Sequence, residues 1–257
     1  MESMPKVVKD YSKYIEYTNL KSPSSKEIKK FVQTANEENY LGVCLQPGDL
    51  GVAAKYRRPD LKLITVAGFP PLRTFPFFAN GKNRQIQLAL GLYNQREIDT
   101  IKGIIDEGLA DELDLVFPVY WYVRGQFGRI HKFLKGIKDR YKRPVKVIVE
   151  LGTIVTKTVA LYEVIDLLRQ SGVDYFKTNT GLIKQDFDKL LASILFTQML
   201  MKDMDIPMDI KASGGIRTEK QVKKLIQLGV KRIGTSSIQV DDPADHSAKV
   251  GEEESNE

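Results

Sequence analysis

Short apolar runs rich in β-branched residues alternate along the chain with longer segments whose apolar positions recur every three or four residues. The first pattern reads as buried strand, the second as a helix with one covered face. Strands are predicted over residues 15–18, 42–45, 61–66, 112–117, 145–150, 175–178, 208–212 and 232–234. Helices are predicted from Ser24 and Ser25 onward, then over 49–56, 95–107, 127–141, 156–170, 186–202 and 219–228. Ser24 with Glu27 supplies the hydroxyl and acid that a helix start favours, while Gly108, Gly172 and Gly229 stand where left-handed caps are expected. A strand, helix, glycine rhythm repeated around eight strands predicts a single (β/α)8 TIM barrel over residues 1–240.

Two stretches break the rhythm. Residues 70–94 begin Pro70-Pro71-Leu72-Arg73-Thr74-Phe75-Pro76-Phe77-Phe78 and form a long aromatic connection, expected to be an active-site lid or a subunit contact. Residues 241–257 hold seven acidic residues against Lys249, so this tail carries −6 and the rest of the chain +12. The tail lacks apolar content and is expected to be disordered.

Composition narrows the chemistry. With 257 residues and 42% hydrophobic content the chain can bury one large core, and no apolar run approaches the ~20 residues that a membrane crossing takes. A cytoplasmic protein with no membrane partner is expected. The lone Cys44 excludes an internal disulfide, and His131 and His246 without any paired cysteines make a zinc site improbable. The basic residues are scattered over helical segments without interleaved aromatics, which reads as solvated helix faces rather than a nucleic-acid track. Chemistry then falls to Lys, Asp, Glu, Ser and Thr.

Lysine is a poor choice inside an apolar strand unless its amine has a task. Lys177 ends the run Val173-Asp174-Tyr175-Phe176-Lys177 just before Thr178-Asn179-Thr180-Gly181, and Lys211 ends Ile210-Lys211 just before Ala212-Ser213-Gly214-Gly215. In a barrel the carboxyl ends of the strands carry the active site, so two late lysines on neighbouring strands are expected to face each other. Repulsion and desolvation would leave one amine neutral and nucleophilic, as Schiff-base chemistry requires. Asp114, late in its strand and sharing a face with Glu112, is the candidate for proton transfer, and Glu112 is read as structural. Lys146, near the start of its run, is also read as structural, with pairing to a site carboxylate as the alternative. Gly214-Gly215, Gly234-Thr235-Ser236-Ser237 and Thr180-Gly181 are small hydrogen-bonding loops where barrels hold phosphate. Arg217 could add charge there or simply lie on the surface of a helix's first turn.

These motifs resemble the deoxyribose-phosphate aldolase family. The likeness runs in order from Ile15-Glu16-Tyr17-Thr18-Asn19-Leu20-Lys21 through Gly42-Val43-Cys44-Leu45-Gln46-Pro47, Thr65-Val66-Ala67-Gly68-Phe69-Pro70, Ala110-Asp111-Glu112-Leu113-Asp114 and Lys146-Val147-Ile148-Val149-Glu150 to the two lysine motifs and Arg232-Ile233-Gly234-Thr235-Ser236-Ser237. The resemblance implies a class I aldolase in which Lys177 forms the imine, Lys211 perturbs it and Asp114 relays protons. Glu16 and Cys44 would line the substrate site, and Thr180, Gly181, Gly214, Gly215, Gly234, Ser236 and Ser237 would hold substrate or its phosphate. The implied reaction cleaves 2-deoxyribose 5-phosphate to glyceraldehyde 3-phosphate and acetaldehyde, with no metal or cofactor and in a homo-oligomer, dimer or tetramer. Glu16, Tyr17 and Asn179 depart from the aspartate, histidine and serine common in the family, which leaves two alternatives beside the leading reading: the same imine chemistry on another aldehyde, and a non-catalytic barrel binding phosphorylated ligands.

Overall fold

The computed structural model describes residues 10–21, 23–69, 91–151, 158–183 and 185–239. Eight parallel strands close into a barrel in sequence order: β1 Ile15–Asn19, β2 Gly42–Leu45, β3 Lys62–Ala67, β4 Glu112–Val116, β5 Val145–Ile148, β6 Tyr175–Lys177, β7 Asp209–Ser213 and β8 Arg232–Thr235. β8 pairs with β1 through Glu16 opposite Gly234, which completes the ring. The barrel expected from the alternation is therefore present. The aromatic stretch over 70–90 and the acidic tail lie outside the described residues.

Around the strands run α1 Ser25–Glu37, α2 Leu50–Ala53, α3 Gln95–Glu107, α4 Val119–Tyr122, α5 Phe127–Tyr141, α6 Thr158–Gln170, α7 Phe187–Asp203 and α8 Glu219–Gln227. α1 starts at a full capping box in which Ser24 and Glu27 satisfy each other's backbone N–H groups, and α8 starts at a second one made by Thr218 and Gln221. Gly108 ends α3 in the left-handed conformation that its sequence position suggested. The predicted helix over 49–56 is shorter, a 3-10 turn at Pro47–Asp49 running into α2. No helix among the described residues is long and apolar enough to cross a membrane.

The two-residue period of the strands sorts the core into two unlike compartments. Outward residues such as Val43, Leu63, Leu113, Val147, Phe176, Ala212 and Ile233 form the main apolar layer with the helices. Tyr17 points the same way and stacks on Phe31 at 4.1 Å. Inward residues include Glu16, Glu112, Asp114, Lys146, Lys177 and Lys211, all buried, where branched apolar side chains would be usual. Buried charges of both signs are costly unless paired, so this interior marks where the fold spends stability on a site.

Candidate active site

Lys177 is the last residue of β6 and lies in register with Lys211 of β7 and Ile148 of β5. Its Nζ donates to Asp114 Oδ2 at 2.8 Å, and Lys211 Nζ donates to the same oxygen at 2.5 Å. Lys211 also donates to Glu16. Lys146 Nζ stands 3.1 Å from Asp114 Oδ1, 2.5 Å from Glu112 Oε2 and 3.3 Å from Glu16 Oε1. Three ammonium groups and three carboxylates thus interlock inside the barrel.

The cluster is closed at its amino-terminal end by Lys62, 2.7 Å from Glu112, and by Arg232 at 3.6 Å from Glu16 and 3.7 Å from Glu112. At its carboxyl end stands Lys177. Lys146 and Lys211 are wholly buried, whereas Lys177 keeps 4% of its surface. Of the three barrel lysines, this is the one that a small carbonyl compound entering from the strand ends could reach.

The electrostatics separate the roles. Burial pushes the Asp114 carboxyl up, but Lys146, Lys177 and Lys211 together outweigh it and hold the group well below the usual carboxylate range. Burial likewise opposes the charge on Lys211, yet Asp114 and Glu16 prevail and raise its amine, so Lys211 is a fixed cation. Lys146 is raised further, against its burial, by Asp114, Glu16 and Glu112. Cys44 lies 4.0 Å from Asp114 Oδ2, and its thiol is pushed up to about 11 by burial and by that carboxylate. A neutral thiol beside the cluster is no nucleophile at neutral pH.

Lys146, read from the sequence as structural or as the partner of a site carboxylate, pairs with three of them. β5 holds four residues, Lys146 pairs in register with Asp114, and a four-carbon stem carries its amine to all three carboxylates. The signal was present in its parity: Lys146 shares the inward face with Ile148, two residues on.

The glycine-containing loops gather above the cluster. Gly181, Gly214 and Gly215 have φ of +84°, +99° and +76°, open to glycine and strained for other residues. A side chain on Gly215 would meet the Gln185 carbonyl oxygen at 2.9 Å. Thr178 Oγ1 donates to Ser213 O at 3.1 Å and Asn179 Nδ2 donates to the same carbonyl at 3.0 Å, tying the loop after β6 to the end of β7. Arg217 Nη1 donates to Ser236 Oγ at 3.0 Å, so its guanidinium stands at the loop after β8, beside exposed Ser237. Gly234 belongs to the barrel wall, where an added Cβ would stand 3.4 Å from Lys211 Cε; its missing side chain makes room for that lysine. Thr180 is occupied on both sides, its N–H by Glu150 Oε2 at 2.7 Å and its Oγ1 by Leu182 N at 3.2 Å.

Among the described residues no group of three or more His, Cys, Asp and Glu side chains is placed to hold a metal ion. A lysine at the mouth of a buried ion cluster can add to a carbonyl, exchange protons with a carboxylate 2.8 Å away and face an anion held by N–H groups of small loops.

A closed barrel whose charged cluster runs from the middle of β4 and β7 up to Lys177 at the carboxyl end of β6 has the layout of a (β/α)8 enzyme. No family model matches the chain. It is, however, 32% identical over 225 residues to the deoxyribose-phosphate aldolase of Metamycoplasma hominis, covering 86% of this chain and 91% of that one. It is 30% identical over 236 residues to that of Caldicellulosiruptor saccharolyticus, covering 89% and 95%. A solved structure described as QR15, an aldolase, superposes with a TM-score of 0.71 at 26% identity, covering 88% of this chain and 91% of that one. The tetrameric deoxyribose phosphate aldolase from Aeropyrum pernix shares the fold, with a TM-score of 0.65 at 24% identity over 88% and 87%. The chain belongs to the deoxyribose-phosphate aldolase family.

Proposed function

We propose that the protein is a class I aldolase that reversibly cleaves 2-deoxy-D-ribose 5-phosphate to glyceraldehyde 3-phosphate and acetaldehyde. The observation that carries this reading is the placement of Lys177, partly reachable and in contact with Asp114, beside Lys211, which is held charged.

Lys211 and Lys146 are tied to carboxylates inside the barrel, which leaves the Lys177 amine, at the mouth of the cluster, as the nucleophile that meets the substrate. The neutral amine attacks C1 of the open-chain sugar to give a carbinolamine, and loss of water gives the protonated imine. A base takes the proton of the C3 hydroxyl, the C2–C3 bond breaks, glyceraldehyde 3-phosphate departs, and the bonding pair becomes the enamine. Protonation at C2 and addition of water release acetaldehyde and restore Lys177. Asp114, which touches Lys177 and Lys211 through one oxygen, is the group through which protons pass at the carbinolamine and enamine steps, by way of a water. The protonated imine serves as the electron sink.

Gly181, Gly214, Gly215, Ser236 and Ser237, joined by Arg217, are the proposed phosphate cradle, and Glu16 and Cys44 back the sugar end from behind Lys211 and Asp114. A phosphorylated substrate makes the cytoplasm the expected location. The test is direct: purified protein incubated with 2-deoxyribose 5-phosphate should release acetaldehyde and glyceraldehyde 3-phosphate in equal amounts, and Lys177→Leu should abolish both. A folded wild-type protein that releases neither from this sugar contradicts the proposal.

A further inference from the structure

Four described residues other than glycine have positive φ: Asn39, Lys142, Glu150 and Asp205. Three of them are exposed and stand at the carboxyl end of a helix, Asn39 after α1, Lys142 after α5 and Asp205 after α7, where a left-handed residue is an ordinary way to stop. Glu150 is different. It follows the last residue of β5 by two positions, is 1% exposed and has φ of +54° with no helix to terminate. Such a conformation costs energy in a residue with a side chain and persists where the surroundings impose it.

The surroundings are the end of β6. Val149 N donates to Lys177 O and Leu151 N to Thr178 O, both at 2.9 Å, so the chain on either side of Glu150 stays paired with the segment that carries the candidate imine lysine. Between those two bonds the Glu150 side chain turns onto Thr180, whose N–H donates to Oε2 at 2.7 Å. Thr180 Oγ1 accepts the N–H of Leu182 at 3.2 Å, and Leu182 and Ile183 pack on Val116 and Ile148, one inward step above Asp114 and Lys146. Gly181 is the residue that this chain of bonds spans. It is exposed, with φ of +84°, and no atom stands within 4 Å of where its Cβ would be. The N–H groups on either side of it are taken, Thr180 by Glu150 and Leu182 by Thr180, while the Gly181 N–H has no acceptor among the described residues. Open glycine backbone of this kind lets a ligand come close. A carboxylate near an anion site would repel the anion unless its charge were engaged. Burial pushes the Glu150 carboxyl up, and hydrogen bonding from Thr180 with the nearby Lys177 amine opposes that.

Resting on the aldolase reading, we infer that Glu150 is a positioning residue for the substrate's phosphate: by holding the Thr180 N–H it sets the turn after Lys177, and with it the span between the amine that takes C1 and the glycine that faces the phosphate. The preference for a phosphorylated sugar is then built partly into a side chain on the neighbouring strand end.

The readout is that preference, taken as the ratio of kcat/KM for 2-deoxyribose 5-phosphate to kcat/KM for 2-deoxyribose. Glu150→Ala keeps a side chain on the strained backbone and removes the acceptor. It should lower the preference about tenfold or more, through KM of the phosphorylated sugar. Glu150→Gln, which keeps an oxygen acceptor, should retain most of the preference. Glu150→Gly relieves the backbone without restoring the acceptor, so it should lose the preference as Glu150→Ala does. Circular dichroism and borohydride trapping of acetaldehyde on Lys177 accompany each variant. An unchanged preference in Glu150→Ala, an equal loss in Glu150→Gln, or a preference kept by Glu150→Gly overturns the inference. So does loss of the trapped adduct in a folded Glu150→Ala, which would place Glu150 at the imine step instead. Failure of the aldolase reading itself would appear separately, as absence of the trapped adduct in wild type.

Discussion

Lys177 and Lys211 place their amines on one and the same oxygen of Asp114, at 2.8 and 2.5 Å. Two cations meeting at a single acceptor cannot both be satisfied equally. Lys211 has a second partner in Glu16, and burial leaves it no exit. Lys211 therefore stays charged, and Lys177 is the lysine that remains accessible from the strand ends.

Asp114→Asn removes the shared acceptor and keeps the shape. It should lower kcat by roughly a hundredfold to ten-thousandfold with a smaller change in KM. Steady-state kinetics on the folded variant check this. A variant retaining most of its kcat would remove Asp114 from the proton path.

Lys146→Met leaves Glu16, Glu112 and Asp114 short of a cation inside the barrel. Removing one partner from such a buried set should cost about 3–5 kcal/mol of stability, read from the urea midpoint. The same change should lower activity, because Asp114 loses the cation on its other oxygen. An unchanged midpoint would mean that Lys62 and Arg232 alone can balance the acids.

Stability should fall in acid. Burial pushes the Glu112 carboxyl up, but Lys146, Lys62 and Arg232 bring it down to about 2 from an ordinary 4.5. A carboxyl depressed by folding contributes fully above its unfolded value, and that contribution is lost as pH falls through 4.5 toward 2. The urea midpoint should therefore be level above roughly pH 5 and decline below it. Glu112→Gln should flatten the decline. A midpoint that rises on acidification contradicts the ion cluster.

Cys44 should be inert in the native protein, since it is fully buried and its thiol lies at about 11. Iodoacetamide at pH 8 should label it only after unfolding in urea, as intact-mass spectra would show. Rapid native labelling would mean the cavity opens to solvent.

How far this site could be read from the chain depended on what each residue advertises. Lys177, Lys211 and Asp114 were legible because a charge late in an apolar run conflicts with burial, and the conflict has a functional resolution. Strand order followed from the glycine-punctuated rhythm, because parallel strands need helical crossovers. Lys146 was legible in part: its place near the start of its strand read as structural, and the neighbouring strands decide which carboxylates its stem can reach. Tyr17 sits beside Glu16 in sequence yet faces helix α1, one residue of strand being enough to reverse direction. Glu150 gave no signal, because a glutamate forced into positive φ is imposed by its surroundings rather than by its own preference. The four-residue helix α4 was also missed, being too short to display a helical period.

The central claim is that Lys177 is the amine that forms the imine. Borohydride reduction with acetaldehyde or 2-deoxyribose 5-phosphate, followed by peptide mass spectrometry, tests it with the fewest intervening steps. The account predicts a reduced adduct on Lys177 in wild type and none in Lys177→Leu. A folded wild-type protein that gives no adduct with either compound, or an adduct on Lys146 or Lys211 instead, would contradict it.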